Sequence, residues 1–266
     1  MKKILICLLA ALVSVILGLP TAQAQSGTTN QLMVNYAVDF LDRPYAAGTL
    51  EVGDDLTELI TNCDEVDCTT LVEYVTAMTL ATAADGSLSE HNFMDCLLRV
   101  RYRDGQMNGY PSRLHYFSDW IYNGVRNGFL DDVTRLNVNT KQKLSLSYMS
   151  SHPEKYPQLV SSTSNLAAIK KVEQNLSGEE VAYLPEEDLP EEGWTWIKAG
   201  DIIAFTTDTE GLDVAHVGIA FYADGRLGLL HASSTEGKVV VANSSIKRLL
   251  KQNKRWTGIR VLRVKK

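Results

Sequence analysis

The chain has 266 residues, 45% of them hydrophobic, and a formal net charge of -6 at pH 7. That length and apolar content can bury one sizeable core, or one core with a large insertion. The negative balance, with no basic run apart from the last residues, excludes nucleic acid as an expected partner.

Lys2 and Lys3 precede an apolar run over residues 4–19, Pro20 breaks it, and Ala22-Gln23-Ala24 follows. This is the pattern of a secretory signal peptide, residues 1–24, with a small-x-small cleavage site after Ala24. The run is short for a bilayer span, and no lipobox-like cysteine stands at the cleavage site. The expectation is a soluble, exported, periplasmic protein with no stable membrane insertion after signal removal. Its mature chain, residues 25–266, would form one domain, with an elaboration at about 85–195. Cys63, Cys68 and Cys96 remain after cleavage, and an odd count leaves at least one thiol without an internal partner. One arrangement pairs Cys63 with Cys96 and frees Cys68. The oligomeric state has no signature here.

Residues 25–30 are small and polar, a flexible start. Leu32, Met33, Tyr36, Ala37, Phe40 and Leu41 fall on one helical face, and Pro44 ends that helix. Residues 43–51 read as a loop, with Gly48 and Gly53 as turn residues, and residues 56–61 as an extended stretch. After Asp67-Cys68-Thr69-Thr70, the apolar Leu71, Val72, Val75 and Met78 recur at helical spacing. Cys68 therefore sits where a helix begins, beside unpaired N–H groups and the positive helix end, both of which favour a thiolate. A cysteine at that place reads equally as a nucleophile or as a small buried hydrophobe. Asp67 either caps the helix or accepts hydrogen bonds near its start.

Asp85-Gly86-Ser87 is a turn, and Ser89 caps a helix with Phe93, Cys96, Leu97 and Val100 on its apolar face. Residues 101–120 mix hydrogen-bonding aromatics with arginines: Arg101, Tyr102, Ser112, Arg113, His115, Tyr116 and Trp120 stand out. Such a mixture suits a groove wall for a sugar or peptide. The competing reading is a helical elaboration whose aromatics pack on the core. Trp120, Ile121 and Val125 mark a helix that Gly128 ends. Farther on, residues 145–149 read as extended and His152-Pro153 as a turn before short helices. From Gly200 the texture changes to strands: 201–206, 214–222, 227–231, 237–242 and 258–264, with an Asp224-Gly225 hairpin turn and a short helix at 246–250. Early helices with a late antiparallel sheet make an α+β plan.

His216 lies within the second of these strands and His231 ends the next, so the two can face each other across the sheet. With the Cys68 helix packed on that face, three groups line up: a nucleophile, a base, and a group that orients the base. Two other readings use the same side chains, a zinc site built from all three and two structural histidines beside a buried cysteine.

The stretches Asp67-Cys68-Thr69-Thr70, Gly200-Asp201-Ile202-Ile203-Ala204-Phe205, His216-Val217-Gly218-Ile219 and Leu230-His231-Ala232-Ser233 together resemble the NlpC/P60 superfamily of papain-like cysteine hydrolases. Pro44-Tyr45, Gly48-Thr49-Leu50-Glu51, residues 101–105 and residues 112–120 resemble, more narrowly, its DUF1460 branch, the N-acetylmuramoyl-L-alanine amidase-like proteins. The resemblance spans nearly the whole mature chain. It implies a papain-like fold, with the nucleophile helix packed on a C-terminal antiparallel sheet and a helical insertion. It also implies a cysteine amidase acting on muropeptides or other peptidoglycan fragments, without cofactor or metal. Cys68 falls on the family's nucleophile, His216 on its base and His231 on its third polar residue. Tyr45, Asp67, Arg101, Tyr102, Ser112, Arg113, His115, Tyr116 and Trp120 are the expected substrate-binding residues, Arg113 through its rigid fork to a carboxylate. A stem-peptide endopeptidase with the same triad and a non-catalytic muropeptide-binding protein are the competing functions. A related circularly arranged acyl-transfer fold would place its histidine before its cysteine, the reverse of the order here.

Overall fold

A computed structural model describes residues 28–51 and 58–266. The expected signal peptide over residues 1–24, residues 25–27, Gly53, Leu56 and Thr57 lie outside the described residues. The first helix, α1 (Thr29–Val38), starts earlier than its apolar face suggests, because the Thr28 side chain accepts from the Gln31 N–H and caps it. It also ends well before Pro44. Next come α2 (Cys68–Asp85), which carries the cysteine on its first residue, and α3 (Glu90–Arg101). Gly86 stops α2 in the left-handed region at φ 74°, and Ser89 caps α3. Helix α2 is buried from Thr70 to Thr82 with hardly a break. That fits a segment whose only charged side chains are Glu73 and the terminal Asp85.

Residues 117–185 follow as short pieces: α4 (Phe117–Arg126), β1 (Leu130–Asp132), α5 (Val133–Asn137), β2 (Lys141–Lys143), α6 (Tyr148–Ser151), α7 (Pro157–Val160), α8 (Thr163–Leu176), β3 (Glu180–Ala182) and β4 (Leu184–Pro185). Residues 145–149 are not extended. The N–H groups of Ser147 and Tyr148 both donate to the Gly211 carbonyl, which turns the chain into α6. Tyr110, Tyr116, Leu144, Leu146, Met149, Leu159 and Ile169 form a satellite core of their own.

The strands β5 (Ile202–Thr207), β6 (Val214–Ala223), β7 (Arg226–Ser233) and β8 (Lys238–Val241) follow, then α9 (Ile246–Gln252) and β9 (Trp256–Val264). All pairings are antiparallel, in the order β1-β9-β5-β6-β7-β8, with β4 added to β9 beside β1. The β6–β7 hairpin turns at Asp224 (φ 51°) and Gly225 (φ 72°), the pair of positive angles that matches strand twist.

Each face of the sheet has its own core. Ile202, Ala204, Val217, Ile219, Leu230 and Ala232 pack with α1, α2 and α3. Ile203, Phe205, Ala220, Leu229, Ile259 and Val261 pack on the other side with α9. This is the α+β arrangement expected from the sequence, N-terminal helices against a C-terminal antiparallel sheet. Cys68 and Cys96 are free, so the suggested Cys63–Cys96 disulfide is not formed. Among the described residues, no helix is long and apolar enough to cross a membrane.

Candidate active site

Asp67 and Thr70 fix the start of α2. The Asp67 carboxylate accepts the Thr70 N–H at 2.7 Å, and the Asp67 N–H donates to Thr70 Oγ1 at 2.9 Å. This reciprocal capping box satisfies two backbone donors that a helix start leaves open, and it sets Cys68 on the first turn. A neighbouring strip frames the cysteine: the Ala46 N–H donates to the Val66 carbonyl, and the Tyr45 N–H to that of Gly237.

The Cys68 thiol is half-buried and meets β6 at the backbone. The N–H groups of Val217 and Thr69 and the Thr69 hydroxyl, 4.0 Å away, favour its ionised form. Burial outweighs them, reinforced by the Asp67 carboxylate, and pushes the thiol up to about 11. The favourable helix end is thus offset mainly by burial, with the anionic cap that builds the helix start adding to it.

Helix α2 packs on the Val217 side of the sheet, and His216 and His231 occupy the opposite side of the pleat. The two histidines are therefore not covered by α2. The sheet splits beside them. Strands β6 and β7 pair from Ala223–Arg226 to Ile219–Leu230, and beyond that point β7 continues with β8, through His231–Val240 and Ser233–Lys238. The sulfur lies at this fork, against the residue that follows His216.

The histidines bridge the fork through one bond, His216 Nε2 to His231 Nδ1, 2.7 Å long, with ring planes at 89°. Burial lowers His216 to about 3, with the neighbouring His231 adding to the shift, and lowers His231 to about 4. Both rings rest neutral, so one nitrogen of the contact donates and the other accepts. Gly218 makes the approach possible, since a Cβ there would stand 3.0 Å from His231 Cβ and 2.9 Å from the Leu230 carbonyl oxygen. A cavity of about 650 Å³ opens beside the pair, lined by His216, His231, Trp256, Ser233, Asn243 and Asn253 among others.

Residues 35–259 match the family described as AmiA-like, N-acetylmuramoyl-L-alanine amidase-like. The chain belongs to this family. An N-acetylmuramoyl-L-alanine amidase from Bacteroides uniformis is 60% identical over 88% of this chain and 99% of its own, with a TM-score of 0.85. A putative xylanase from Bacteroides fragilis is 57% identical over 86% of this chain and 99% of its own, with a TM-score of 0.83. A DUF1460 protein of Legionella pneumophila, 21% identical over 90% of each chain, shares the fold with a TM-score of 0.66. No curated protein matches.

Within this amidase-like chain the expected substrate-binding residues scatter. Tyr45 stands at the thiol: burial raises its hydroxyl, and Cys68 and Asp67 add to the shift. Asp67 is spent on the cap. Arg101 is fully buried, its Nε 2.6 Å from Glu73 Oε2 and its Nη1 2.6 Å from the Ile60 carbonyl oxygen, so it is out of a substrate's reach. Tyr102 and Tyr116 are buried, the latter donating to Glu173 at 2.7 Å and accepting from the Met149 N–H. Trp120 is wholly inside, stacked on Phe117. Ser112 closes its own turn on Gly109, and the His115 ring is bonded to the Tyr110 carbonyl and held well below the usual histidine range by burial. Arg113 is paired with Glu51 and lies over the Tyr110 ring.

For Arg101, Tyr102, Tyr116 and Trp120 the packing reading holds and the groove-wall reading is corrected. Two features of the site escaped sequence reasoning. Trp256 stacks on His216, and the loops around Ser233 and Asn243 line the cavity. The run of Ser233, Ser234, Thr235, Asn243 and Ser244 beside the histidine strands was the available signal.

Proposed function

We propose that the protein is a cysteine amidase that hydrolyses the amide between the lactyl group of N-acetylmuramic acid and L-alanine in muropeptides, in peptidoglycan turnover. The observation that carries the chemistry is a helix-start thiol at the strand fork bridged by the 2.7 Å His216–His231 contact. Family membership and the close likeness to a Bacteroides uniformis N-acetylmuramoyl-L-alanine amidase support the choice of bond.

The resting pair is neutral, a thiol and an imidazole, so the attack is base-assisted. The bond to His231 uses Nε2 of His216 and leaves Nδ1 as the nitrogen that takes the Cys68 proton. The sulfur adds to the lactyl carbonyl carbon, and the carbonyl electrons move onto oxygen. Thr70's N–H is taken by Asp67 and Thr69's faces the sulfur, which leaves the N–H of Cys68 as a donor to that oxyanion. The imidazolium then protonates the departing L-alanine nitrogen, and the C–N bond breaks to give a thioester. Water, losing its proton to His216, attacks the thioester and releases the muramic-acid carboxylate and the thiol. His231 holds the ring of His216 in one orientation throughout.

The test is incubation of the mature protein with a muramyl tripeptide or tetrapeptide and its 1,6-anhydro-sugar form, read by mass spectrometry. Free peptide beginning with L-alanine, plus the sugar acid, is expected. A muramyl-dipeptide product would make it a stem-peptide endopeptidase, and binding without any product would make it a muropeptide-binding protein.

A further inference from the structure

Trp256 is the first residue of β9, and by strand alternation it belongs on the wrong side of the sheet to meet His216. Ile259 and Val261 face the α9 side, so residues of even number along β9 should face the other way, as Leu262 does. Trp256 nevertheless packs on the α9 side, 4.4 Å from the Phe205 ring centroid and 5.5 Å from that of His216. The cause is a bulge. The β5–β9 register runs Thr206–Gly258 and then Thr207–Trp256, so Thr257 is the extra residue. A second shift lies across β5 at the same level, where Phe205 pairs with His216 and Thr206 with Val214. Bulges of this kind re-aim a side chain at a site. This one is pinned by a Thr206–Thr257 hydroxyl bond of 2.8 Å and by Thr207 Oγ1 donating to the Arg255 carbonyl at 2.9 Å.

The re-aimed indole lies 8° from parallel to the His216 ring. That orientation bears on the proton transfer. The last torsion of a histidine side chain is broad and nearly two-fold, and a half-turn exchanges Nδ1 with a carbon. A single hydrogen bond at Nε2 restrains this rotation at one atom only. A flat surface stacked on the ring restrains the plane itself.

We propose that Trp256 is a positioning residue that fixes the ring plane of His216, so that Nδ1 stays aimed at the thiol while Nε2 stays on His231. It does not touch the reacting atoms. The inference rests on His216 being the base of the amidase reading, and the test separates the two.

Trp256→Ala and Trp256→Phe are compared with wild type and with His216→Ala, by muropeptide hydrolysis and by nitrogen-15 NMR of the histidines. Trp256→Ala should lower kcat on the order of ten- to a hundredfold with KM held within about twofold, the size of effect that slight misplacement of a reacting group produces. Trp256→Phe, which keeps a flat ring, should recover most of the loss. The NMR signals of His216 should show one tautomer and an aromatic ring-current shift in wild type and in Trp256→Phe, and averaging without that shift in Trp256→Ala. Full kcat in Trp256→Ala, with His216→Ala inactive, would overturn the positioning role and leave the base reading standing. Full activity in His216→Ala would overturn both. Equal losses in the two Trp256 variants, with the NMR signals of His216 unchanged, would reduce the tryptophan to a packing residue and overturn the proposal.

Discussion

Removing the guanidinium of Arg101 should destabilise the protein rather than weaken substrate binding. Its side chain is 0% exposed and that of Glu73 is 2% exposed. Each is compensated mainly by the other, at 2.6 Å, with a second bond to the Ile60 carbonyl and the Tyr74 ring below. Arg101→Met keeps much of the packed stem and leaves a buried carboxylate without its counter-ion. Breaking such a pair costs about 3–5 kcal/mol. For a domain of this size each kcal/mol moves Tm by roughly 2–4 °C, which gives a drop of roughly 6–20 °C. Glu73 lies on α2 a turn and a half from Cys68, so the loss falls on the helix that presents the thiol. Replacing both partners, as Glu73→Leu with Arg101→Met, should recover much of the loss, because no uncompensated charge remains. Thermal unfolding followed by circular dichroism measures both, with KM for a muramyl tripeptide taken alongside. A Tm within about 2 °C of wild type together with a raised KM would refute the reasoning and restore Arg101 as a substrate contact.

Cys68→Ser should keep the fold and abolish turnover, since a hydroxyl in that setting does not ionise for the same base; retained product release in the mass-spectrometric assay would end the nucleophile assignment. The histidine pair should make the protein acid-sensitive. Both rings have folded values, about 3 and about 4, below the free value of 6.5, so the unfolded chain binds more protons in acid. Their contribution is present above pH 6.5 and lost as the pH falls toward 3, and denaturant midpoints of wild type and a His216→Phe, His231→Leu variant over that range should converge downward. Gly218→Ala should cost about 1–3 kcal/mol by overpacking and lower kcat as well, because the added methyl meets Leu229 Cδ1 at 2.8 Å and His231 Cβ at 3.0 Å. A stable, fully active variant would mean that the His216–His231 contact tolerates spreading.

The parts of the fold that were legible share a cause. Asp67 and Thr70 announce a helix start because a short acceptor side chain and a hydroxyl three residues on can satisfy each other's backbone. The strands of the late sheet read well because short apolar runs such as Ile202–Thr207, buried on both faces, stand between turn residues. Strands β1 and β4 carry no period to detect, since each has at most three residues and owes its extension to β9 alone. The aromatic stretch at 101–120 was ambiguous for a physical reason. Tyrosine, tryptophan and arginine serve a wet groove and a satellite core with buried polar partners equally well, and Glu73 and Glu173, the partners that decide for the core, lie 28 and 57 residues away from Arg101 and Tyr116. The face of the sheet that the histidines take follows from alternation. That Trp256 crosses to their side depends on a single-residue register shift that leaves no mark in composition.

A thiol at about 11 is, at neutral pH, ionised in about one molecule in ten thousand, against a few per cent for an ordinary cysteine. Peroxides and foreign disulfides react with the thiolate, so the burial that raises this thiol, with the anionic cap adding to it, also slows its oxidation. The packing that buries Cys68, more than the carboxylate beside it, therefore sets how fast this sulfur ages.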